Sequence, residues 1–301
     1  MPEGVITKAL SGYYYVKPLR EGAIASEETA ITCRGRGVFK NRGITPLVGD
    51  RVIYVLTENG EGTVTEILPR ISELIRPTVA NVSLAVLLFS VREPDMNLNL
   101  LDKFLVHIEH SGIETLIVLT KQDLAEDDQV TTNLVKELYE RIGYEVMITS
   151  SLTGSGSEDL RKRLSGIISV FSGQSGVGKS TLLNRIVPGL LLETGEISLK
   201  LGRGRHTTRH VELMDIGEGG FVADTPGFSQ LDFLELEVDE LSSCFREFVP
   251  LAEQCKFRGC SHLHEPDCKV IEALESGIVA KSRYEHYKLF YQEMKDKKRR
   301  Y

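Results

Sequence analysis

From Val5 to Leu68, apolar and polar positions alternate in short stretches such as Tyr13-Tyr14-Tyr15-Val16 and Arg51-Val52-Ile53-Tyr54-Val55-Leu56. Glycine-bearing turns separate them, at Arg34-Gly35-Arg36-Gly37 and Glu58-Asn59-Gly60-Glu61-Gly62. A period of two puts successive side chains on opposite faces of a strand, so the pattern predicts a small all-β barrel. Pro69 and Pro77 bracket a short connector, after which the texture changes. Ser83 to Val91 reads as a near-continuous aliphatic strand. Leu101, Phe104, Leu105 and Ile108 repeat at helical spacing until Gly112, and Thr115 to Leu119 is the next strand. Leu134, Leu138 and Ile142 mark a further helix ending at Gly143, and Glu145 to Thr149 a further strand. Strands alternating with helices imply a parallel sheet covered on both faces, which binds ligands at the carboxyl ends of its strands. Beyond Phe233 the chain turns acidic, then cysteine-rich, then helical, with Tyr284, Tyr287, Lys288 and Tyr291 at helical spacing before Lys297-Lys298-Arg299-Arg300. The expected division is therefore a barrel over 1–68, an α/β domain over 72–231 and a small helical domain over 232–301.

Composition narrows the setting. With 301 residues, 41% hydrophobic and 26% charged, the chain is ordinary globular material, and no apolar run approaches the roughly 20 residues of a membrane span. Met1 to Leu10 lack the charged start and apolar core of a secretory signal, so the cytoplasm is the expected compartment and no membrane the expected partner. Five cysteines are an odd count for a disulfide framework. Cys255, Cys260 and Cys268 sit close together with His262 and His264, which reads as a closed structural metal site of the zinc type. The formal net charge of −7 argues against nucleic-acid binding through the whole surface, leaving that to local basic patches. Arg34, Arg36, Lys40 and Arg42 form one such patch near the three tyrosines.

The clearest chemistry lies at Gly173-Gln174-Ser175-Gly176-Val177-Gly178-Lys179-Ser180, which fits G-x-x-x-x-G-K-[ST]. It follows the apolar strand Ile167 to Phe171 and runs through Thr181 into a helix ending near Val187. Such a loop turns its amides inward at phosphate oxygens, with the helix dipole behind them; Lys179 reaches the β- and γ-phosphates and Ser180 ligates Mg²⁺. Downstream, the strand Phe221-Val222-Ala223 delivers Asp224 into Asp224-Thr225-Pro226-Gly227. The Asp224 carboxylate suits Mg²⁺ through water, and the Gly227 amide suits the γ-phosphate. Between these motifs lies Arg203-Gly204-Arg205-His206-Thr207-Thr208-Arg209, a segment of the kind that a triphosphate orders. A threonine hydroxyl there completes the protein ligands on Mg²⁺; Thr208 and Thr207 are both candidates.

Thr120-Lys121-Gln122-Asp123 follows the strand ending at Leu119. A carboxylate at Asp123 accepts from guanine N1–H and the 2-amino group, a donor pair that adenine lacks. Lys121 packs its stem along the base, and the amides of Ser150, Ser151 and Leu152 meet guanine O6. These guanine-reading loops precede the phosphate loop, the reverse of the ordinary order. With the barrel ahead and the cysteine cluster behind, the chain resembles the ribosome small-subunit-dependent GTPase A family over essentially its whole length. The resemblance is carried by Gly173 to Thr181, by Gly204-Arg205-His206-Thr207-Thr208, by Asp224-Thr225-Pro226-Gly227-Phe228 and by the spacing Cys255-x₄-Cys260-x-His262-x₅-Cys268.

That resemblance implies a multidomain fold: an N-terminal OB-fold that binds RNA, a circularly permuted P-loop GTPase domain, and a C-terminal zinc domain. It selects His262 over His264 as the fourth ligand of one structural Zn²⁺. It implies Mg²⁺ with GTP, turnover to GDP, and a monomer that meets the 30S subunit and its 16S rRNA late in subunit maturation. Phe228 stands where many GTPases orient the attacking water with glutamine, and the resemblance gives that task to His206. Thr120 stands where the family carries asparagine, so loop bracing is expected to be only partly filled. Because the segment after Gly227 runs into the third domain, that domain is expected to move with nucleotide state. The competing expectations are a P-loop ATPase, which Asp123 disfavours, and a zinc-containing RNA-binding adaptor with a regulatory nucleotide site.

Overall fold

The structure, a computed structural model, describes residues 1–19, 29–35, 37, 39, 43–75, 78–187, 189–190, 211–224 and 236–298. Strands β1 (Glu3–Leu10), β2 (Tyr13–Pro18), β3 (Ile31–Gly35), β4 (Arg51–Leu56) and β5 (Gly62–Ile67) close into a barrel in the order β1-β2-β3-β5-β4. Its inward positions, among them Ile6, Val16, Cys33, Val52, Tyr54 and Val64, form one core, and closure leaves none of the five strands as a free edge. Arg34 and Gly35, expected in a turn, instead end β3. The Tyr14 ring lies 3.1 Å from where a Cβ on Gly35 would sit, so glycine admits the neighbouring strand's aromatic.

The connector is more structured than its two prolines suggest. It carries β6 (Glu73–Ile75), which pairs antiparallel with β7 (Thr78–Ala80) just beyond it, both too short to show alternation. Fully buried Asp50 accepts from Arg70 Nε at 2.7 Å and from Arg70 Nη2 at 2.8 Å, fastening the connector to the barrel.

The central sheet comprises β8 (Val82–Ser90), β9 (Glu114–Thr120), β10 (Glu145–Ile148), β11 (Ile168–Gly173), β12 (Leu213–Gly217) and β13 (Gly220–Asp224), in the order β10-β9-β8-β11-β13-β12. All neighbours are parallel except β12, which runs antiparallel to β13. Strand β8 is apolar on both faces because both are covered. Ala85, Leu87 and Phe89 meet α1 (Leu98–Ser111) and α2 (Gln129–Ile142), while Leu84, Val86 and Leu88 meet α3 (Ser157–Arg163) and α4 (Lys179–Ile186). The Asn97 side chain caps α1 by accepting from Leu100 N at 3.0 Å.

The buried face of α2 is Thr132, Val135 and Tyr139, and Leu134, expected inward, is 60% exposed. Leu138 and Ile142 pack against the core part-buried, and the Tyr139 hydroxyl donates to buried Asp102 on α1 at 2.7 Å. Helix α3 was not expected, since seven residues holding one inward leucine, Leu160, show no period.

The C-terminal region packs α5 (Val249–Ala252), α6 (Lys269–Glu275), α7 (Lys281–Lys298) and a 3₁₀ turn at Leu241–Cys244 around Phe245, Phe248, Tyr284, Tyr287 and Phe290. Val106 of α1 belongs to this third core, so α1 serves two cores at once. Barrel, α/β domain and helical region thus follow the expected order. Among the described residues no helix is long and apolar enough to cross a membrane.

Candidate nucleotide site and metal centre

The phosphate loop leaves the end of β11, between β8 and β13. A Cβ on Gly173 would lie 2.3 Å from the Leu88 carbonyl oxygen, so only glycine lets the loop start flush against β8. Gly178 caps α4, and the helix begins at Lys179, which places Ser180 and Thr181 in its first turn. Val177 is buried, Gln174, Lys179 and Ser180 are half-buried, and Ser175, Gly176 and Thr181 are exposed. A helix start with its dipole and a lysine at its first position is the arrangement that suits an anion.

Strands β9 and β10 bring the second cluster to the same edge of the sheet. The Thr120 hydroxyl donates to the Val177 carbonyl at 2.6 Å, joining the loop expected to read guanine to the loop expected to hold phosphate. The position expected to be half-filled therefore holds a direct brace, supplied by a hydroxyl rather than an amide. Lys121 Cε lies 3.8 Å from the Cβ position of Gly178, and its Nζ donates to the Glu93 carbonyl. The Asp123 carboxylate accepts from Ser150 Oγ. The Ser150 amide donates to Ser155 O at 3.0 Å, and Gly154 N donates to Ser150 O at 2.8 Å, so Ser150 is the hub of this loop. Ser151 is half-buried beside it.

Asp224 ends β13, level with Phe171 of β11 in the ladder, and is described in its backbone alone. His206, Thr207, Thr208 and Gly227 lie outside the described residues, as do Arg36, Lys40 and Arg42.

In the C-terminal region the ligand atoms of Cys255, Cys260, His262 and Cys268 all lie within 4.8 Å of one another. His262 Nδ1 is 3.3 Å from Cys268 Sγ and 3.7 Å from Cys255 Sγ, and Cys255 Sγ is 4.0 Å from Cys268 Sγ. Four donors on a tetrahedron around an ion about 2.3 Å from each sulfur stand roughly 3.5–3.8 Å apart, so the set fits a metal ion. Burial pushes the Cys260 thiol up to about 12 and lowers the His262 imidazole. Thiolates in that setting need a cation to compensate them. His264 is exposed and outside the set. The Glu265 carboxylate shapes the loop, accepting from Ser261 N at 2.8 Å, Ser261 Oγ at 2.6 Å and Leu263 N at 3.1 Å.

On the barrel, Arg34 lies opposite Tyr13 in the β2–β3 ladder and its Nη2 donates to the Tyr13 hydroxyl at 2.8 Å. Lys8 lies opposite Tyr15 and pairs with Glu212 at 2.7 Å. The sequence did not mark Lys8, because strand register decides its neighbours and register is not visible before the barrel closes.

The sequence pattern of the RsgA GTPase family matches residues 67–234, over half the chain. The chain belongs to the RsgA GTPase family. The RsgA N-terminal domain pattern matches residues 3–64. The small ribosomal subunit biogenesis GTPase RsgA of Geobacillus kaustophilus is 52% identical over 303 residues, covering 100% of both chains. Its counterpart in Halalkalibacterium halodurans is 50% identical over 301 residues, covering 100% of this chain and 99% of the relative. Among solved structures, YloQ, a circularly permuted GTPase, matches with a TM-score of 0.83 and 45% identity, over 99% of this chain and 96% of that one. YjeQ from Thermotoga maritima matches with a TM-score of 0.83 and 38% identity, over 97% and 98%. This RsgA-family chain is thus a GTPase whose motifs run in permuted order.

Proposed function

We propose that this GTPase binds GTP with Mg²⁺ across its two loop clusters, turns it over to GDP and phosphate, and does so on the small ribosomal subunit late in its assembly. The observation that carries the reading is the Thr120–Val177 bond, which holds guanine-reading and phosphate-binding loops together at one edge of the sheet. Asp123 selects guanine; Lys121, Ser150 and Ser151 frame the base; Gly173 to Thr181 wrap the phosphates. Ser180, Thr208 or Thr207 and, through water, Asp224 would hold Mg²⁺, which would supply charge neutralisation on the β- and γ-phosphates. Lys179 adds a cation there, Gly227 senses the γ-phosphate, and His206 orients or deprotonates the attacking water.

The four-donor C-terminal set holds one structural Zn²⁺, the soft tetrahedral ion that three sulfurs and an imidazole suit best. Arg34, stacked on Tyr13, contacts 16S rRNA together with Arg36, Lys40 and Arg42 of the same stretch of sequence, where cations meet phosphates and aromatics stack on bases. The working units are 1–68, 72–231 and 232–301, in a cytoplasmic monomer. The relatives' name, small ribosomal subunit biogenesis GTPase, supports the choice of partner. The test is phosphate release from GTP and ATP, each with and without purified 30S subunits. Slow GTP turnover that rises strongly with 30S is the expected result. Preference for ATP overturns the base assignment, and indifference to 30S overturns the partner.

A further inference from the structure

We infer that Asp102 and Arg283, far from any expected motif, are positioning residues for the nucleotide site. The inference rests on the nucleotide reading above. Arg283 is 1% exposed and Asp102 fully buried, and Arg283 Nη1 donates to Asp102 Oδ1 at 2.6 Å. Arg283 Nε and Nη2 donate to the two Glu247 oxygens at 2.8 and 3.0 Å. Asp102 accepts further from the Tyr139 hydroxyl at 2.7 Å and from His286 Nδ1 on its other oxygen. Burial alone would lower the Arg283 guanidinium, but Asp102 and Glu247 overcome it and hold the group charged. A buried pair this fully hydrogen-bonded tolerates no slipped alternative, because any shift strands a charge away from water.

The clamp therefore fixes α1 against α7, and both ends of the arrangement lead somewhere. Asp102 lies in the second turn of α1. The loop entering α1 bonds to one nucleotide loop and stands beside the other: the Glu93 carbonyl accepts from Lys121 Nζ, and Pro94 Cδ is 3.7 Å from where a Cβ on Gly176 would sit. On the other side, α7 holds the metal loop by two tyrosines, Tyr284 donating to His262 O at 2.8 Å and Tyr287 to Ser261 O at 2.7 Å. The geometry makes α1 a strut whose N-terminal end sets where Lys121 and the phosphate loop stand. Lys103 of α1 also pairs with Glu293 of α7 at 2.9 Å, whereas Arg246, in the segment between the 3₁₀ turn and α5, pairs with Glu109 at the far end of α1 at 2.8 Å and serves as the control outside the clamp.

The test compares Asp102→Asn, Arg283→Lys and the control Arg246→Ala in the full metal-loaded chain. It uses titration with a fluorescent GDP analogue, KM and kcat for GTP, and metal content. Asp102→Asn and Arg283→Lys are expected to raise Kd and KM roughly five- to tenfold while kcat at saturating GTP stays within about twofold. Arg246→Ala should lower thermal stability and leave Kd alone. Arg283→Lys keeps the charge and stands in if Asp102→Asn does not fold. Wild-type affinity in the folded variants, or equal loss in the control, overturns the inference while leaving the nucleotide reading intact. Failure of the wild-type chain to prefer GDP over ADP overturns both.

Discussion

Replacing Thr120 with valine keeps the β-branched shape and removes one hydroxyl. Thr120 is 2% exposed and Val177 is 1% exposed, so the carbonyl that loses its 2.6 Å donor lies beyond easy reach of water. Leaving such a group unsatisfied costs about 1–3 kcal/mol. A domain of this size loses about 2–4 °C of melting temperature per kcal/mol, so Thr120→Val is expected to melt roughly 2–12 °C lower. The carbonyl precedes Gly178 and Lys179, so part of the loss falls on the phosphate loop; about 1 kcal/mol transferred there weakens GDP binding roughly fivefold. Thermal unfolding with and without saturating GDP, beside a nucleotide titration, separates the two shares. Thr120→Ser restores the donor and should recover affinity. A valine variant that melts within a degree of wild type and binds GDP equally would refute the idea that this hydroxyl braces the loop.

Further expectations concern the base, the water, the metal and the buried thiols. Asp123→Asn exchanges an acceptor for a donor and should move selectivity from GTP to XTP in a competition assay. His206→Ala should keep GTP affinity and lose 30S-stimulated turnover, and unchanged stimulated turnover removes His206 from the mechanism. Elemental analysis should find one zinc per chain, and Cys260→Ser should lose it and lower the melting temperature. Burial pushes the Cys33 thiol up to about 11 and the Cys244 thiol up to about 12, so the fold favours their protonated forms. Their contribution to stability is full below the unfolded thiol value of about 8.5 and fades as pH rises through 11 to 12. Iodoacetamide at pH 8 should accordingly label Cys33 and Cys244 only after denaturation, and labelling of the native chain would contradict their burial.

What the sequence makes legible is whatever is local. The phosphate loop is a contiguous string whose spacing is its geometry, and β8 announces itself because both its faces are apolar. The metal set was readable for the same reason, since four donors fall within fourteen positions. Long-range pairings were not. Arg283 and Asp102 are 181 positions apart, and each alone looks like a solvated charge on an amphipathic helix. The Tyr139 hydroxyl bonds to a carboxylate 37 positions away, a partner that the leucine spacing of α2 gives no sign of. The expected movement of the third domain now carries a condition: the clamp obliges α1 to travel with α7, or the buried pair to break.

Strand β8 sits between β9 and β11, yet β11 is roughly 80 residues further along the chain. At about 5–20 residues per second, a ribosome making this protein needs roughly 4–16 s to supply that partner. For that interval the growing chain presents the apolar stretch Leu84 to Phe89 with both edges open until β9 is made and one open thereafter, the kind that seeks other strands. The closed barrel, whose strands are all made by Ile67, is complete before the interval begins. This strand order thus carries a hazard in time: the newborn chain is most vulnerable to wrong association midway through its own synthesis.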